Sequence, residues 1–388
     1  MFNIRKEAEK ALFLLSKSGY EAYLVGGCVR DSILGRSFTD YDITTNALPY
    51  EIKEVFCDYK TLDVGIKHGT VTVIIDKLPI EITTYRIDGE YTDNRHPDKV
   101  EFSGNIRDDL SRRDFTMNAV CYNGGYIDPF GGRQDVDAKI IRCVGDPRKR
   151  FEEDALRIMR ALRFSACLGF KIDTEASDAI SECMHLLKNV SAERILTELK
   201  KLLCGENAAE VITEYSKVFC FLLGDNCYCE RAKHINKCPA AFDIRMACLL
   251  LDNGRYKDVL TWLKLDNKTL KRVALSIENY NTFITADPVF IKKYINKFGT
   301  ENLKDVLALK KADGIITADV EENLNYIINN NECYSIRMLD INGDDLACLG
   351  ITGKAIGQAL ELILENVIEG KINNSKKDII DFIKEHKL

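Results

Sequence analysis

One change in hydrophobic periodicity constrains the fold more than any other feature. Up to about residue 145, short apolar stretches alternate with period two or break off after a few residues. "EAYLVGG" and "FTDYDITT" read as short strands. "GTVTVIID" and "IEITTYRI" read as paired strands with Val71, Val73 and Ile75 on one face and "DKLP" as the turn. "IRKEAEKALFLLSKSG" ahead of them carries helical spacing and closes on Gly19. From Phe151 onward the apolar positions repeat almost only every 3.6 residues, through "EEDALRIMRALRFSACLG", "DTEASDAISECMHLL", "SAERILTELKKLLCG" and several later segments. A chain that switches period once in this way is α+β: an N-terminal mixed-sheet head followed by an elongated all-helical region. Seams are expected near Gly145-Asp146-Pro147, near Gly205 and around Asn267, giving segments 1–145, 146–205, 206–270 and 271–388. No fixed-period repeat or low-complexity tract is present.

At 388 residues the chain exceeds a single ordinary core. It has no N-terminal apolar h-region and no run of about 18 apolar residues, so neither a secretory signal nor a membrane span is expected. Fourteen cysteines lie between Cys28 and Cys348 without the dense spacing of a disulfide scaffold. They read as reduced, buried, small apolar residues of a cytoplasmic protein. The net charge of −6 argues against indiscriminate nucleic-acid binding but leaves room for a local basic groove.

Chemistry concentrates in "YLVGGCVRDSILGRSFTDYDITT", residues 23 to 45. On a strand, Asp40 and Asp42 point to one face, because strand side chains alternate. Two carboxylates forced together repel unless a hard divalent cation sits between them, and Mg²⁺ prefers one or two carboxylates plus substrate phosphates. The Gly26-Gly27 turn ahead of "CVRDSILG" offers free amides at a short helix start, a seat for a polyphosphate. Singly, a Gly-Gly turn fits plain structure and an Asp-x-Asp fits a solvated loop. Together, in the order strand, turn, helix, strand, they point to phosphoryl or nucleotidyl transfer.

The stretch "LVGGCVRDSILGRSFTDYDITTNA" resembles the signature of DNA polymerase β-like nucleotidyltransferases, specifically the class II tRNA nucleotidyltransferase and bacterial poly(A) polymerase family. "VGIKHGTVTV", "EITTYR", "RRDFTMNAV", "DPFGG", "EDALRIMRALRF" and "SAERILTEL" follow in the family's order, densely over residues 20 to about 205 and loosely beyond. The resemblance implies a catalytic head, a helical neck that reads the nucleotide base, a helical body and a tail that binds tRNA. Asp40 and Asp42 would hold the catalytic Mg²⁺, with Glu81 as the third carboxylate. If the strand starts at Ile80, then Ile80 and Ile82 share its buried face and Glu81 points away from it, which permits a site role without requiring one.

By the same resemblance, Gly26, Gly27, Arg30, Arg113, Asp114, Asn118, Arg160 and Arg163 bind the nucleotide. Arg113 and Asp114 would contact the ribose, where Asp114 could accept from a 2′-hydroxyl. Arg112 either binds phosphate or is exposed. Asp154 and Arg157, three apart on a helix, would be neighbours on one face and read the base. Cytosine and adenine each present an amino donor beside a ring-nitrogen acceptor, which suits a carboxylate next to a guanidinium. Uracil and guanine reverse that polarity. Read as residues alone, the same pair is an ordinary surface ion pair. Gly131 and Gly132 are a turn or, by the resemblance, a hinge. Arg194 resembles a helix-stabilising residue without a catalytic role, and the polar loop "TYRIDGEYTDNRHPDKV" one that serves the final A addition.

The implied reaction is template-independent addition of the 3′-terminal C-C-A to tRNA from CTP and ATP. The alternatives are addition of the terminal A alone, poly(A) synthesis, or a catalytically silent RNA-binding protein. The last would be marked by loss of a metal carboxylate, and Asp40, Asp42 and Glu81 are all present. Cys227, Cys229, His234 and Cys238 lack a common zinc-finger spacing and read as unrelated thiols. "RMACLLLDNG" has Leu251-Asp252 where some relatives carry a His-Asp metal pair, so no phosphohydrolase activity is expected. Basic runs such as "KKYINK" and "LKLDNKTLKR" are solvated faces or, on a tRNA-binding tail, one of them follows the phosphate backbone.

Overall fold

The computed structural model describes residues 4–63, 65–89, 100–224 and 228–386. The chain divides into two compact units, the first running to Cys229 with Trp262–Lys264 added, the second made of Glu230–Thr261 and Leu265–Leu388.

The first unit opens with helix α1 (Lys6–Lys17), whose buried Ala8, Ala11, Leu12 and Leu15 recur at helical spacing. Gly19, at φ +89°, ends that segment. Strand β1 (Ala22–Val25) leads through Gly26 into the short helix α2 (Gly27–Ile33), and then come β2 (Tyr41–Thr45) and α3 (Pro49–Val55). Strands β3 (Lys60–Leu62), β4 (Thr70–Ile75) and β5 (Leu78–Thr84) follow. A small ribbon pairs β6 (Arg86–Asp88) with β7 (Val100–Phe102). Helix α4 (Ile106–Ser111), strands β8 (Cys121–Tyr122) and β9 (Tyr126–Ile127) and helix α5 (Gly132–Asp137) complete the head.

The main sheet has the order β3-β4-β5-β2-β1-β8-β9. Only β2 and β5 run parallel within it, and their register sets Tyr41 against Ile80, Asp42 against Glu81 and Ile43 against Ile82. Alternation then sorts the faces. Val71, Val73, Ile75, Ile80, Ile82 and Ile43 are fully buried in one core with Leu15, Ile52 and Phe56. Asp42 and Glu81 have the opposite parity and leave that core free of charge.

Two expectations change in this region. Strand β5 begins at Leu78, and the turn is only Asp76-Lys77, with φ of +46° and +71° at its two residues. Positive φ at both centres marks a two-residue type I′ turn, whose twist matches that of the flanking strands, in place of the four-residue "DKLP" turn. Pro79 is tolerated because β2 starts opposite Ile80, so no neighbour on that side needs its missing N–H. Asp40 lies just before β2 rather than within it, and it is exposed.

After the head, β10 (Ile140–Ile141) pairs in parallel with β11 (Lys171–Ile172). Between and beyond them stand α6 (Pro147–Glu153), α7 (Leu156–Leu168), α8 (Thr174–Cys183) and α9 (Ala192–Leu203). Helix α7 buries Ile158, Met159, Ala161 and Leu162, and α9 buries Ile195, Leu199, Leu202 and Leu203. Every element among the described residues of the second unit is a helix, the last being Lys376–His386. No helix among the described residues is long and apolar enough to cross a membrane. The described cysteines are unbridged, but Cys57, Cys204 and Cys348 are exposed, so burial does not hold for all of them.

Candidate active site

Gly26 makes the turn from β1 into α2 at φ +78°, a conformation that L side chains rarely adopt. A Cβ there would also meet Asp42 Oδ2 at 3.5 Å and Arg113 Nη1 at 3.6 Å. Those are ordinary contacts, so it is the positive φ that calls for glycine, and the turn it makes lies beside a carboxylate and a guanidinium. Gly27 opens α2 directly behind it.

Asp42 and Glu81 are register partners on adjacent parallel strands, so their carboxylates leave the sheet on the same face. Burial pushes the Asp42 carboxyl up to about 6, against the pull of Arg113 and with further upward pressure from Glu81 and Asp40. Asp40 and Glu81 are both exposed, and Asp40 accepts from Thr39 Oγ1 at 3.2 Å. Such mutual repulsion is what a divalent cation relieves, so this donor set fits one. Among the described residues no group of three acidic, His or Cys side chains forms a complete cage. A cation here would draw its remaining oxygens from substrate, as Mg²⁺ commonly does.

Arg113 is anchored from behind. The buried carboxylate of Asp109 on α4 accepts from Arg113 Nη2 at 3.0 Å, from Arg112 Nη2 at 2.6 Å and from Thr44 Oγ1 at 3.0 Å. Arg112 is thus neither free nor simply exposed. Asp109 was not legible as a site residue. Its only signal is its spacing, three and four residues before the two arginines on a helix, which ordinary surface pairs share.

A second chain of contacts links α2 to α7. Arg30 donates to Asn118 Oδ1 at 2.8 Å, Asn118 Nδ2 donates to Asp114 Oδ1 at 3.1 Å, and Arg160 Nε donates to Asp114 Oδ2 at 2.7 Å. Burial alone would raise the Asp114 carboxyl, but Arg160, Asn118 and Arg157 outweigh it and hold it down at about 2. Arg30 also makes two 2.9 Å bonds to Asp31. The guanidiniums of Arg163, Arg30 and Arg160 lie 3.8, 4.9 and 5.5 Å from the Phe164 ring centroid. Arg163 Nε stands 2.6 Å from Glu198 Oε2, a buried carboxylate of α9 that sequence reasoning missed. A cavity of about 490 Å³ opens beside these groups, lined by Arg30, Asp31, Arg36, Arg163 and Phe164 among others.

Asp154 and Arg157 differ from the helical pair expected. Asp154 is the extended residue between α6 and α7, at φ −144° and ψ 101°. Its Oδ1 accepts from Leu156 N at 3.1 Å, the way a capping carboxylate satisfies an orphan amide. A helix cannot both be capped by a residue and contain it, so the two side chains do not share one continuous helical face. Each is instead held by others. Arg194 Nη2 of α9 donates to Asp154 Oδ2 at 2.8 Å. Arg157, buried, donates to Glu153 Oε2 at 2.7 Å, to the Arg150 carbonyl at 3.0 Å and to the Arg112 carbonyl at 3.1 Å.

Gly132 begins α5, where an added Cβ would fall 2.0 Å from the Thr116 carbonyl oxygen. Asp128 caps the same turn through the Gly132 and Arg133 amides. Residues 90–99 of the polar loop, and Cys227, lie outside the described residues. His234 Nδ1 is 2.9 Å from Asp313 Oδ1, and Asp252 Oδ2 is 3.7 Å from Arg231 Nε.

Residues 22–142 match the Poly A polymerase head domain family, residues 169–217 the RNA- and SrmB-binding segment of polymerase A, and residues 236–383 tRNA nucleotidyltransferase domain 2. The CCA-adding enzyme of Geobacillus sp. (strain WCH70) is 34% identical over 98% of this chain and 97% of its own length. This chain belongs to the CCA-adding enzyme family. The Bacillus subtilis (strain 168) member is 33% identical over 97% of both chains. The crystal structure of the Bacillus stearothermophilus CCA-adding enzyme in complex with CTP superposes with a TM-score of 0.86 at 33% identity, covering 98% of this chain and 97% of that one. The Thermotoga maritima CCA-adding enzyme complexed with tRNA shares the fold, at a TM-score of 0.70 and 21% identity. Membership in this nucleotidyltransferase family implies dependence on a divalent metal.

Proposed function

We propose that this protein builds or repairs the 3′-terminal C-C-A of tRNA in the cytoplasm, taking CTP and ATP in turn and releasing pyrophosphate. The observation that carries the reading is the Asp42–Glu81 register pair, set beside the Gly26 turn and Arg113 in a chain of this family. In each addition the RNA 3′-oxygen bonds to the α-phosphorus, the bond to pyrophosphate breaks, and the hydroxyl proton leaves. Asp40 and Asp42, with Glu81 alongside, would hold Mg²⁺, which would lower the hydroxyl pKa and neutralise charge on the leaving group.

The remaining work falls to the protein's own groups. Arg30, Arg113, Arg160 and Arg163 form the cationic seat of the nucleotide, and the Gly26-Gly27 turn adds backbone amides. Asp114 accepts from Asn118 and the Phe115 amide on Oδ1, and Arg160 Nε and Nη2 both stand 2.7 Å from Oδ2, so a ribose hydroxyl would share Oδ2 with Arg160. Asp154 accepts from the exocyclic amino group of cytosine or adenine, and Arg157 donates to the ring nitrogen. At about 1–3 kcal/mol per good bidentate contact, that pair disfavours UTP and GTP without a template. Residues 1–145 act as catalytic head, 146–205 as base-reading neck and 206–270 as helical body, while the tail (271–388) carries tRNA contact.

The full-length relatives support C-C-A addition over terminal-A addition alone or poly(A) synthesis. The deciding experiment supplies Mg²⁺ and tRNA lacking C-C-A, or ending in C-C, with CTP and ATP singly and together. Two C then one A, followed by a stop, is the expected result. A added only to the C-C end would select the A-adding reaction, an unbounded A tail the polymerase, and no incorporation a silent binder.

A further inference from the structure

We propose that Asp109 is a positioning residue that holds Arg113 away from Asp42 and so keeps the Asp42 carboxylate open to the divalent cation. The inference rests on the metal reading of Asp42 given above and adds a residue to it.

Arg113 and Asp42 converge on one spot. Arg113 Nη1 and Asp42 Oδ2 lie 3.6 and 3.5 Å from the same point beside Gly26. Both atoms flank that one point, so a guanidinium and a carboxylate there would draw together into a pair if nothing else held either one. Arg113 instead directs Nη2 to Asp109 Oδ2 at 3.0 Å, and Asp109 is fully buried. The hold on Asp109 is rigid for two reasons. Arg112 takes Oδ1 through both Nε (3.0 Å) and Nη2 (2.6 Å). Thr44, two residues beyond Asp42 on the same strand, donates to Oδ2 at 3.0 Å. The strand that carries the metal carboxylate is thereby tied to the residue that restrains its competitor.

Arg113 Nε is itself buried without a hydrogen-bond partner. A guanidinium with spare donors, released from Asp109, gains by turning to the Asp42 carboxylate on the other side of that point. It would then occupy an oxygen that a cation needs and add positive charge at the cation's place.

The test is a double-mutant cycle read by Mn²⁺ binding, using Mn²⁺ alone and electron paramagnetic resonance, on the full chain with folding checked by circular dichroism. Asp109→Asn is expected to weaken Mn²⁺ binding by about 10–100-fold, the usual effect of removing a residue that orients a ligand. In an Arg113→Met background the same substitution is expected to change Mn²⁺ binding less than about twofold, because the competitor is gone. Asp109→Glu, which keeps the charge but pushes the guanidinium forward, is the second variant, and it should weaken binding in the same direction. Unchanged binding in Asp109→Asn overturns the proposal, as does an equal loss with and without Arg113. Asp42→Asn separates the two readings. If it also leaves Mn²⁺ binding unchanged, the metal assignment has failed rather than the role of Asp109.

Discussion

Arg194 grips Asp154 through both terminal nitrogens, at 2.8 and 3.3 Å, from a helix forty residues further along the chain. The pair is only partly exposed, and the Leu156 amide fixes the same carboxylate from below. Asp154 is therefore held in place before any nucleotide arrives, which would lower the ordering cost of the base recognition proposed for it.

Arg194→Ala should leave the fold intact and blur base choice. Losing a charge-assisted bond of about 1.5 kcal/mol corresponds to roughly a tenfold fall in kcat/KM for both CTP and ATP. Arg194→Lys should recover part of it. Single-nucleotide incorporation by each variant measures the effect, and full wild-type selectivity in Arg194→Ala would remove Arg194 from base reading.

Asp114 makes stability depend on acid. Its folded carboxyl is held down at about 2, below the ordinary value near 3.9, so the fold favours its ionised form. That contribution is fully present above pH 4 and is lost as pH falls through 2. Asp114→Asn should cost about 2 kcal/mol at pH 6, and the gap to wild type should close as pH is lowered toward 2. Denaturant unfolding across that range checks it, and a gap that stays constant would mean the cost is packing rather than charge.

Gly132→Ala places a methyl 2.0 Å from the Thr116 carbonyl. Overpacking against backbone cannot be relieved by a rotamer change, so a loss of about 3 kcal/mol is expected. Thermal unfolding reads it directly. A near-neutral result would mean that this turn yields easily, as a hinge would.

Much of the head was legible because a strand's period of two leaves no choice of face once its apolar residues are known. Val71, Val73 and Ile75 had to point together, and Glu81 had to oppose Ile80 and Ile82. The register that sets Glu81 beside Asp42 is a long-range pairing, and no local pattern encodes it. Asp154 was misplaced because "EDALRIMRALRF" keeps helical spacing throughout, with no Gly or Pro at the break. The one mark of the interruption is an aspartate just before "ALRIM", a capping signal that the surrounding periodicity masked. Asp109, Glu153 and Glu198 were missed for a related reason. Each is an acidic residue on a helix, and only tertiary packing distinguishes a buried clamp from a solvated surface charge.

Arg157→Ala is the sharpest test of base selection. Arg157 is buried and anchored by Glu153 and two carbonyls, so its guanidinium is fixed whether or not a base is present. A donor held in place rewards an acceptor such as the ring nitrogen of cytosine or adenine, and it opposes the ring N–H that uracil or guanine would present at the same spot. Removing it should lower incorporation of C and A, and it should raise UTP and GTP relative to them by roughly 10–100-fold, from about 1–3 kcal/mol of lost discrimination. Glu153→Gln weakens the anchor while leaving the donor in place, so it should give a smaller shift in the same direction. Competition assays with all four triphosphates on tRNA lacking C-C-A decide between outcomes. An Arg157→Ala protein that still prefers CTP and ATP in full would shift the reading of the base to other groups in the neck.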